Sequence, residues 1–229
     1  MKFYKMRNDD KFPSLQRDMD CVRIESVHCP LSPGHQRSSP RLNDLTVISQ
    51  SEDIADISWT FFSECVITNR VAEILAREKI SGYTLELVTV SSVSRRSSGA
   101  KTLPTLWELK VNGWGGMAGE SSGVRLIRSC EACGHLKYST FTDPDNLVVP
   151  QRWDGSDIFM VWPLPRYIFV SERMKNLVLC EAFTGCEIIP VALLESPSEC
   201  GFDTHSPGRL SHYMPEHRAH ELGDPLGIY

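Results

Sequence analysis

The sequence predicts an α+β fold: a mainly antiparallel sheet with a few short helices and a candidate zinc knuckle. Residues 83–88 and 106–111 alternate apolar and polar side chains, as half-buried strands do. Short segments after Thr68 and Ser171 have apolar residues at helical spacing. A Cys-x-x-Cys-Gly motif that begins at Cys130 adds the spacing of a metal-binding turn.

Size and composition indicate an ordinary globular chain with an acidic surface. The chain has 229 residues, of which 41% are hydrophobic and 23% charged, which excludes a disordered or collagen-like protein. Its 24 basic and 29 acidic residues give a formal net charge of −5. This balance argues against broad nucleic-acid binding, which needs positive charge against phosphate. It leaves open a basic protein partner, because complementary charge speeds encounter.

The sequence predicts a cytoplasmic protein. No segment approaches the ~20 consecutive apolar residues that a membrane-spanning helix needs. The basic N-terminus has no apolar segment behind it, so we expect no signal peptide. In the cytoplasm the eight cysteines would stay reduced, and they are too sparse for a disulfide scaffold.

Composition divides the chain into three regions. Residues 1–50 contain several prolines and few apolar runs, and are expected to form an N-terminal arm with a degenerate knuckle. Residues 51–195 are expected to form the α+β core, with the Cys-x-x-Cys-Gly motif and two strand–helix–strand units. Residues 196–229 contain Pro and His without sustained periodicity, and are expected to form a tail with one short helix around residues 216–222.

The two strand–helix–strand units have the same order of features, 103 residues apart. Thr68 and Ser171 are the expected N-caps of the two helices, and Gly82 and Gly185 the expected stops. The similarity is typical either of an internal duplication or of two independent units that use the same capping residues.

Cys130 and Cys133 are the strongest candidate metal ligands. Two thiolates three residues apart, followed by Gly134, can face one ion across a tight turn. A structural tetrahedral site needs four ligands, so this motif is half a site. The alternative is a turn of the same shape that binds no metal.

The other half of the site is expected in the N-terminal arm. Cys29 begins a similar segment, in which Ser32 occupies the place of a second cysteine. Cys29 together with one of His28, His35 or Cys21 could complete the site. The candidate set is Cys29, His35, Cys130 and Cys133, with zinc as the cofactor.

Two further patterns carry less weight. Residues 113–118 formally fit the dinucleotide motif G-x-G-x-x-G/A, but no helix is expected after them to receive a pyrophosphate. His212, His217 and His220 are close together, but they fall in the Pro-rich tail, and a solvated tail is the expected interpretation.

Several segments resemble a known family. Cys130-Glu-Ala-Cys133-Gly134, residues 153–157, residues 163–173 and Phe183-Thr-Gly185 are similar to the double-CxxCG motif proteins of myxobacteria. The similarity covers residues 130–194, approximately. That family is described as immunity proteins, which neutralise toxins delivered by contact between kin cells. The first CxxCG of the family would fall at residues 29–34, where only Cys29 remains.

The resemblance implies a non-enzymatic immunity protein that binds and occludes a cognate toxin. An acidic, aromatic surface would make the contact, with Trp114 in an expected glycine-rich hairpin loop and Asp154 and Asp157 in a turn as candidates. Neither the toxin nor the oligomeric state follows from the sequence.

Two alternative functions come from other classes. A zinc-ribbon-like nucleic-acid-binding or adaptor module would use the small basic clusters at Arg95–Arg96 and at Arg125 and Arg128. An enzyme would use Cys130 or Cys133 as its nucleophile, with His135 as the base.

Overall fold

The computed structural model describes residues 1–35, 37–95, 102–196 and 208–228. The strands in chain order are β1 (Phe3–Asn8), β2 (Gln16–Arg17), β3 (Ile24–Val27), β4 (Arg37–Arg41), β5 (Thr46–Ser51), β6 (Ile57–Trp59), β7 (Cys65–Thr68), β8 (Tyr83–Arg95), β9 (Leu106–Val111), β10 (Gly113–Met117), β11 (Leu126–Cys130), β12 (His135–Tyr138), β13 (Ile158–Trp162), β14 (Ile168–Ser171) and β15 (Cys186–Pro190). The α-helices are α1 (Asn69–Arg77), α2 (Glu172–Cys180) and α3 (Glu216–Gly223).

The strands form two large sheets and two separate hairpins, which confirms the predicted α+β class. One sheet has the order β2-β5-β8-β9-β7-β6 and the other β10-β13-β14-β1-β15. The hairpins are β3–β4 and β11–β12. Most neighbours are antiparallel; among the described strands, β5 with β8 and β10 with β13 are the parallel pairs. None of the described helices is long and apolar enough to cross a membrane.

The N-terminal region, expected as an arm, supplies strands to both sheets. β1 lies between β14 and β15, and β5 pairs with β8. Phe3, Tyr4 and Met6 are buried, so β1 contributes to the hydrophobic core. Burial of these apolar side chains favours the central position of the strand over an exposed arm.

The two predicted strand–helix–strand units are present. In α1, Val71, Ile74 and Leu75 lie on the buried face, as their spacing predicts. At the start of α2, the Ser171 hydroxyl accepts a hydrogen bond from the Met174 amide at 3.2 Å. The N-cap prediction is therefore confirmed at Ser171. Thr68 holds the equivalent position, but its side chain makes no capping hydrogen bond.

Residues 113–117, part of the expected glycine-rich hairpin loop, form the strand β10, which pairs in parallel with β13, so the hairpin prediction is wrong. A Cβ atom at Gly113 would lie 2.2 Å from the Ile158 carbonyl oxygen, and one at Gly115 would lie 2.7 Å from the Phe159 ring. Because these glycines have no side chain, the backbone of β10 can lie close to β13. Glycine in a strand often marks such a close approach of another backbone.

The C-terminal segment folds back onto the core over residues 208–228. Leu210, Met214, Ala219 and Ile228 are buried in the largest apolar cluster. The short helix expected near residues 216–222 is present as α3. Its His217 and His220 are exposed, whereas residues 197–207 and 229 of the expected tail lie outside the described residues.

Replacing Gly82 with Ala is expected to destabilise the fold strongly. Gly82 has a φ of +90°, and an added Cβ atom would lie 1.9 Å from the Ile158 carbonyl oxygen. The left-handed conformation alone costs about 1–2 kcal/mol for an L-residue, and the collision adds to it. Urea denaturation measures the free energy of unfolding.

Gly155→Ala is the matched control, because Gly155 has a φ of +88° and nothing within 4 Å of an added Cβ atom. Gly82→Ala should lose clearly more stability than Gly155→Ala. Equal losses would show that the close approach to Ile158 is not a constraint on the fold.

Candidate metal centre

The two hairpins bring four metal-binding side chains together. Cys29 and His35 come from the connection between β3 and β4, and Cys130 and Cys133 from β11 and the turn after it. The ligand atoms of all four lie within 4.8 Å of one another, so this group could bind a metal ion. These are the four residues of the candidate set predicted from the sequence. Cys21 and His28, the other residues considered, do not belong to the group.

The distances within this group fit a tetrahedral centre. The Sγ atoms of Cys29 and Cys130 are 3.8 Å apart, and Cys133 Sγ lies 3.9 Å from His35 Nδ1. With zinc–sulfur bonds of ~2.3 Å, two thiolates of a tetrahedron lie about 3.8 Å apart. These two distances are compatible with a zinc ion bound between the four side chains.

The set of three thiols and one imidazole is typical of a structural site. Cys133 is buried, and Cys29, His35 and Cys130 are half-buried. Four protein ligands complete a tetrahedron, whereas a catalytic zinc usually keeps one position for water or substrate. Such a centre would crosslink the two hairpins.

A tight turn positions the two cysteines of the second hairpin. The Gly134 amide donates a hydrogen bond to the Cys130 carbonyl oxygen at 2.8 Å, and Gly134 has a φ of +64°. Glycine adopts this left-handed conformation without steric cost. The turn places Cys130 and Cys133 on the same side, as the spacing of the motif predicts.

The protein core anchors both hairpins. On β12, Leu136 and Tyr138 are buried, and the Trp162 indole donates a hydrogen bond to the Tyr138 hydroxyl at 2.9 Å. At the end of β4, the nearly buried Arg41 forms an ion pair with Glu108 of β9. The four candidate ligands are therefore presented by two hairpins that are each fixed to the large sheets.

His135 lies beside the centre but outside the donor group. Its ring stacks on the ring of His35, with centroids 4.3 Å apart and planes inclined by 2°. His135 is the catalytic base that the enzyme alternative requires. The structure places it against the other histidine, in a buried position.

The surroundings of the Cys130 thiol favour its protonated form in the metal-free chain. Desolvation raises the pKa of the Cys130 thiol, and its hydrogen bonds to Cys133 and Cys29 add to the effect. A cysteine nucleophile needs a lowered pKa, because the thiolate is the reactive form.

The candidate partner contacts Trp114 and Asp157 lie in the interior, which corrects their predicted exposure. Trp114 is buried, and its amide donates a hydrogen bond to Asp154 at 2.9 Å. Asp157 is buried and forms an ion pair with Arg173 at 2.8 Å. Asp154 is partly exposed and forms an ion pair with Arg218 at 3.1 Å. The main role of these side chains is to hold the turn and β10 in place.

A buried charge cluster that the sequence did not predict lies next to a cleft of about 480 Å³. Arg17 pairs with Glu64, and Arg41 pairs with Glu108 and lies 3.6 Å from Glu64. The four charges balance one another, which offsets part of their desolvation. No motif could reveal the cluster, because its members are brought together only by the pairing of distant strands.

Comparisons with known proteins assign no family to the chain. No family model matches it, and a search of curated proteins finds no match.

Proposed function

We propose that this protein is a cytoplasmic, non-enzymatic immunity protein that binds a cognate toxin and occludes its active site. The observation that carries the proposal is the group of Cys29, His35, Cys130 and Cys133, which is built from one intact and one degenerate knuckle. This arrangement accords with the resemblance to double-CxxCG immunity proteins. A four-ligand centre of this kind supports a binding role, because it leaves no open position for a substrate.

Zinc is the proposed metal. Thiolate and imidazole ligands in a tetrahedral arrangement suit zinc better than magnesium or calcium, which prefer oxygen. When bound, zinc would supply a structural crosslink between β3–β4 and β11–β12. The chain's own residues would then present the exposed surface of β11 in a fixed position.

We propose the exposed surface of β11 as the toxin contact, in place of Trp114. Leu126 and Ile127 are 53% and 60% exposed, on a strand that ends at the ligand Cys130. Exposed apolar side chains on a rigid element suit the centre of a protein interface. The net charge of −5 favours association with a basic partner.

The test is complex formation with the product of the reading frame beside the gene. The wild-type chain should form a tight 1:1 complex and protect cells that make the toxin. The variant Leu126→Asp/Ile127→Asp should weaken the complex more than about tenfold, because charged groups replace the apolar contact. Calorimetric titration measures this change, with metal content and melting temperature as checks on folding.

Leu179→Asp is the matched control, because Leu179 is 65% exposed and belongs to α2, an element outside the hairpin. It should leave the affinity unchanged. Equal affinities of all three proteins would move the contact away from β11, and a metal-loaded chain without any complex would contradict the immunity proposal. That last result would favour the adaptor module. Of its basic clusters, Arg125 and Arg128 are exposed, whereas Arg96 lies outside the described residues.

A further inference from the structure

The secondary structure of the chain repeats with a fixed offset. β1 begins at Phe3 and β9 at Leu106, 103 residues later, and both strands have the same length. The same offset relates β7 to β14, α1 to α2, and the first residues of β8 and β15. Lys79 and Ala182, which follow the helices, both have a φ of +51°. The two halves of the chain therefore share the positions of strands and helices and also the backbone conformation of the second residue after each helix.

The repeat divides the chain into a first unit from β1 to β8 and a second unit from β9 to β15. The first strand of each unit pairs with strands of the other unit. β9, which begins the second unit, lies between β7 and β8 of the first, whereas β1 lies between β14 and β15. The registers agree as well. Leu109 lies opposite Cys65, and Met6 lies opposite Ile168, with an offset of 103 at both positions.

A hydrogen-bonded contact joins the first unit to the second. Asp56 Oδ2 accepts hydrogen bonds from the Thr184 amide at 3.1 Å and from Arg70 Nη1 at 3.0 Å. Arg70 Nη2 donates to the Glu181 carbonyl oxygen at 2.8 Å. Asp56 and Arg70 belong to the first unit, and Thr184 and Glu181 to the second.

The same contact occurs in the opposite direction. Asp157 Oδ2 accepts hydrogen bonds from the Ser81 amide at 3.2 Å and from Arg173 Nη1 at 2.8 Å. Arg173 also donates to the Glu78 carbonyl oxygen. Each donor lies 103 residues from its counterpart, as do the two carbonyl acceptors, whereas the two aspartate acceptors are 101 residues apart. Such reciprocal contacts are the property of a twofold interface.

The knuckles obey the same relation. Cys29 and Cys130 are 101 residues apart, as are Ser32 and Cys133 and the two aspartates. His35 and His135 are 100 residues apart, because the first knuckle has one extra residue, Pro33, before its glycine. The rings of these two histidines stack with nearly parallel planes, and the Sγ atoms of Cys29 and Cys130 are 3.8 Å apart. Corresponding side chains of the two units thus meet each other, as they do at a twofold axis.

We infer that the chain is an internal dimer of two related units with exchanged first strands, and that its metal centre lies on the pseudo-twofold axis. Each unit supplies one knuckle to a single composite site. The inference rests on the metal centre of the proposed function. It explains how one motif can be degenerate: two knuckles offer more donor positions than the four that one ion needs.

A composite site on such an axis has a twofold-related alternative. The present donors are Cys29 and His35 from one unit and Cys130 and Cys133 from the other. The alternative would use Cys29, position 32, Cys130 and His135, but position 32 is a serine. Exchanging Ser and Cys between positions 32 and 133 should therefore replace the present donors by their twofold-related set.

Cobalt titration of the full-length chain tests this inference, because cobalt bound to thiolates in a tetrahedron gives characteristic visible and near-ultraviolet absorption. The wild type should bind about one cobalt ion. Cys133→Ser should lose more than about tenfold in affinity, since even second-shell changes cost 10–100-fold. The double variant Ser32→Cys/Cys133→Ser should regain the spectrum and most of the affinity.

The histidine requirement distinguishes a true exchange from a nearby spare thiol. His35→Ala should abolish tetrahedral cobalt binding in the wild type and leave it intact in the double variant. His135→Ala should abolish it in the double variant and leave it intact in the wild type. Ser129→Cys/Cys133→Ser is the matched control, because it adds an exposed thiol on β11 at a position the axis does not relate to Cys133. It should not regain the spectrum. Circular dichroism checks that every variant is folded.

The outcomes separate the two claims. A wild type that binds no cobalt would overturn both the metal centre and the inference. A wild type that binds one ion, with a double variant that fails to regain it or still needs His35, would overturn only the composite site on the axis.

Discussion

Cys130→Ser is expected to remove the bound metal and to lower the stability of the protein by several kcal/mol. Cys130 Sγ lies 3.8 Å from Cys29 Sγ, and together with Cys133 and His35 these groups are the only metal-binding cluster found in residues 1–35, 37–95, 102–196 and 208–228. Metal-binding energy contributes directly to folding, because the unfolded chain holds no preformed site. Loss of one ligand should also loosen the hairpins.

Metal analysis by mass spectrometry and scanning calorimetry on the same sample measure both effects. Cys180→Ser is the control, because Cys180 is exposed at the end of α2 and does not belong to the cluster. It should keep the metal and the melting temperature of the wild type. A Cys130→Ser protein with unchanged metal content and melting temperature would contradict the assignment of this ligand.

Asp157→Ala is expected to destabilise the protein by about 1–3 kcal/mol, the range for leaving buried hydrogen-bonding groups without a partner. The Asp157 carboxylate accepts hydrogen bonds from the Ser171 hydroxyl at 2.8 Å and from Arg173 at 2.8 Å. It also accepts one from the Ser81 amide at 3.2 Å. The substitution leaves these donors without their acceptor at the contact between α2 and the turn after α1.

Asp154→Ala is the matched comparison for this variant. The Asp154 side chain is 28% exposed, so in the variant water can accept some of the hydrogen bonds that Asp154 accepts in the wild type. Urea denaturation should therefore show a clearly smaller loss than for Asp157→Ala. Losses within about 1 kcal/mol of each other, or an Asp157→Ala protein as stable as the wild type, would contradict the structural role given to Asp157.

The parts of the structure that depend on local spacing could be predicted from the sequence. The helices α1 and α2 and the turn at Cys130 each depend on a few neighbouring residues. The stops predicted at Gly82 and Gly185 are wrong, because the helices end at Arg77 and Cys180, and Lys79 and Ala182 adopt the left-handed conformation. The metal donors were also predictable. Each knuckle supplies two of the four ligands that a structural zinc site needs, so the donor set can be predicted without knowing how the sheets are arranged.

The parts that depend on distant contacts could not be predicted. The sequence around Phe3 predicts a strand, but not that β1 pairs with β14 and β15. The glycines at 113 and 115 are compatible with a loop or with close strand packing, and only Ile158 and Phe159 decide between them. Trp114 was expected at the surface for the same reason, because its burial depends on that packing.

Native mass spectrometry of the purified full-length chain decides whether the four-ligand group binds zinc. We expect the mass of the chain with one bound zinc ion, and we expect a strong chelator to remove the ion and to lower the melting temperature. A chain at its metal-free mass, with a melting temperature that the chelator leaves unchanged and that added zinc does not raise, would contradict zinc binding by this group.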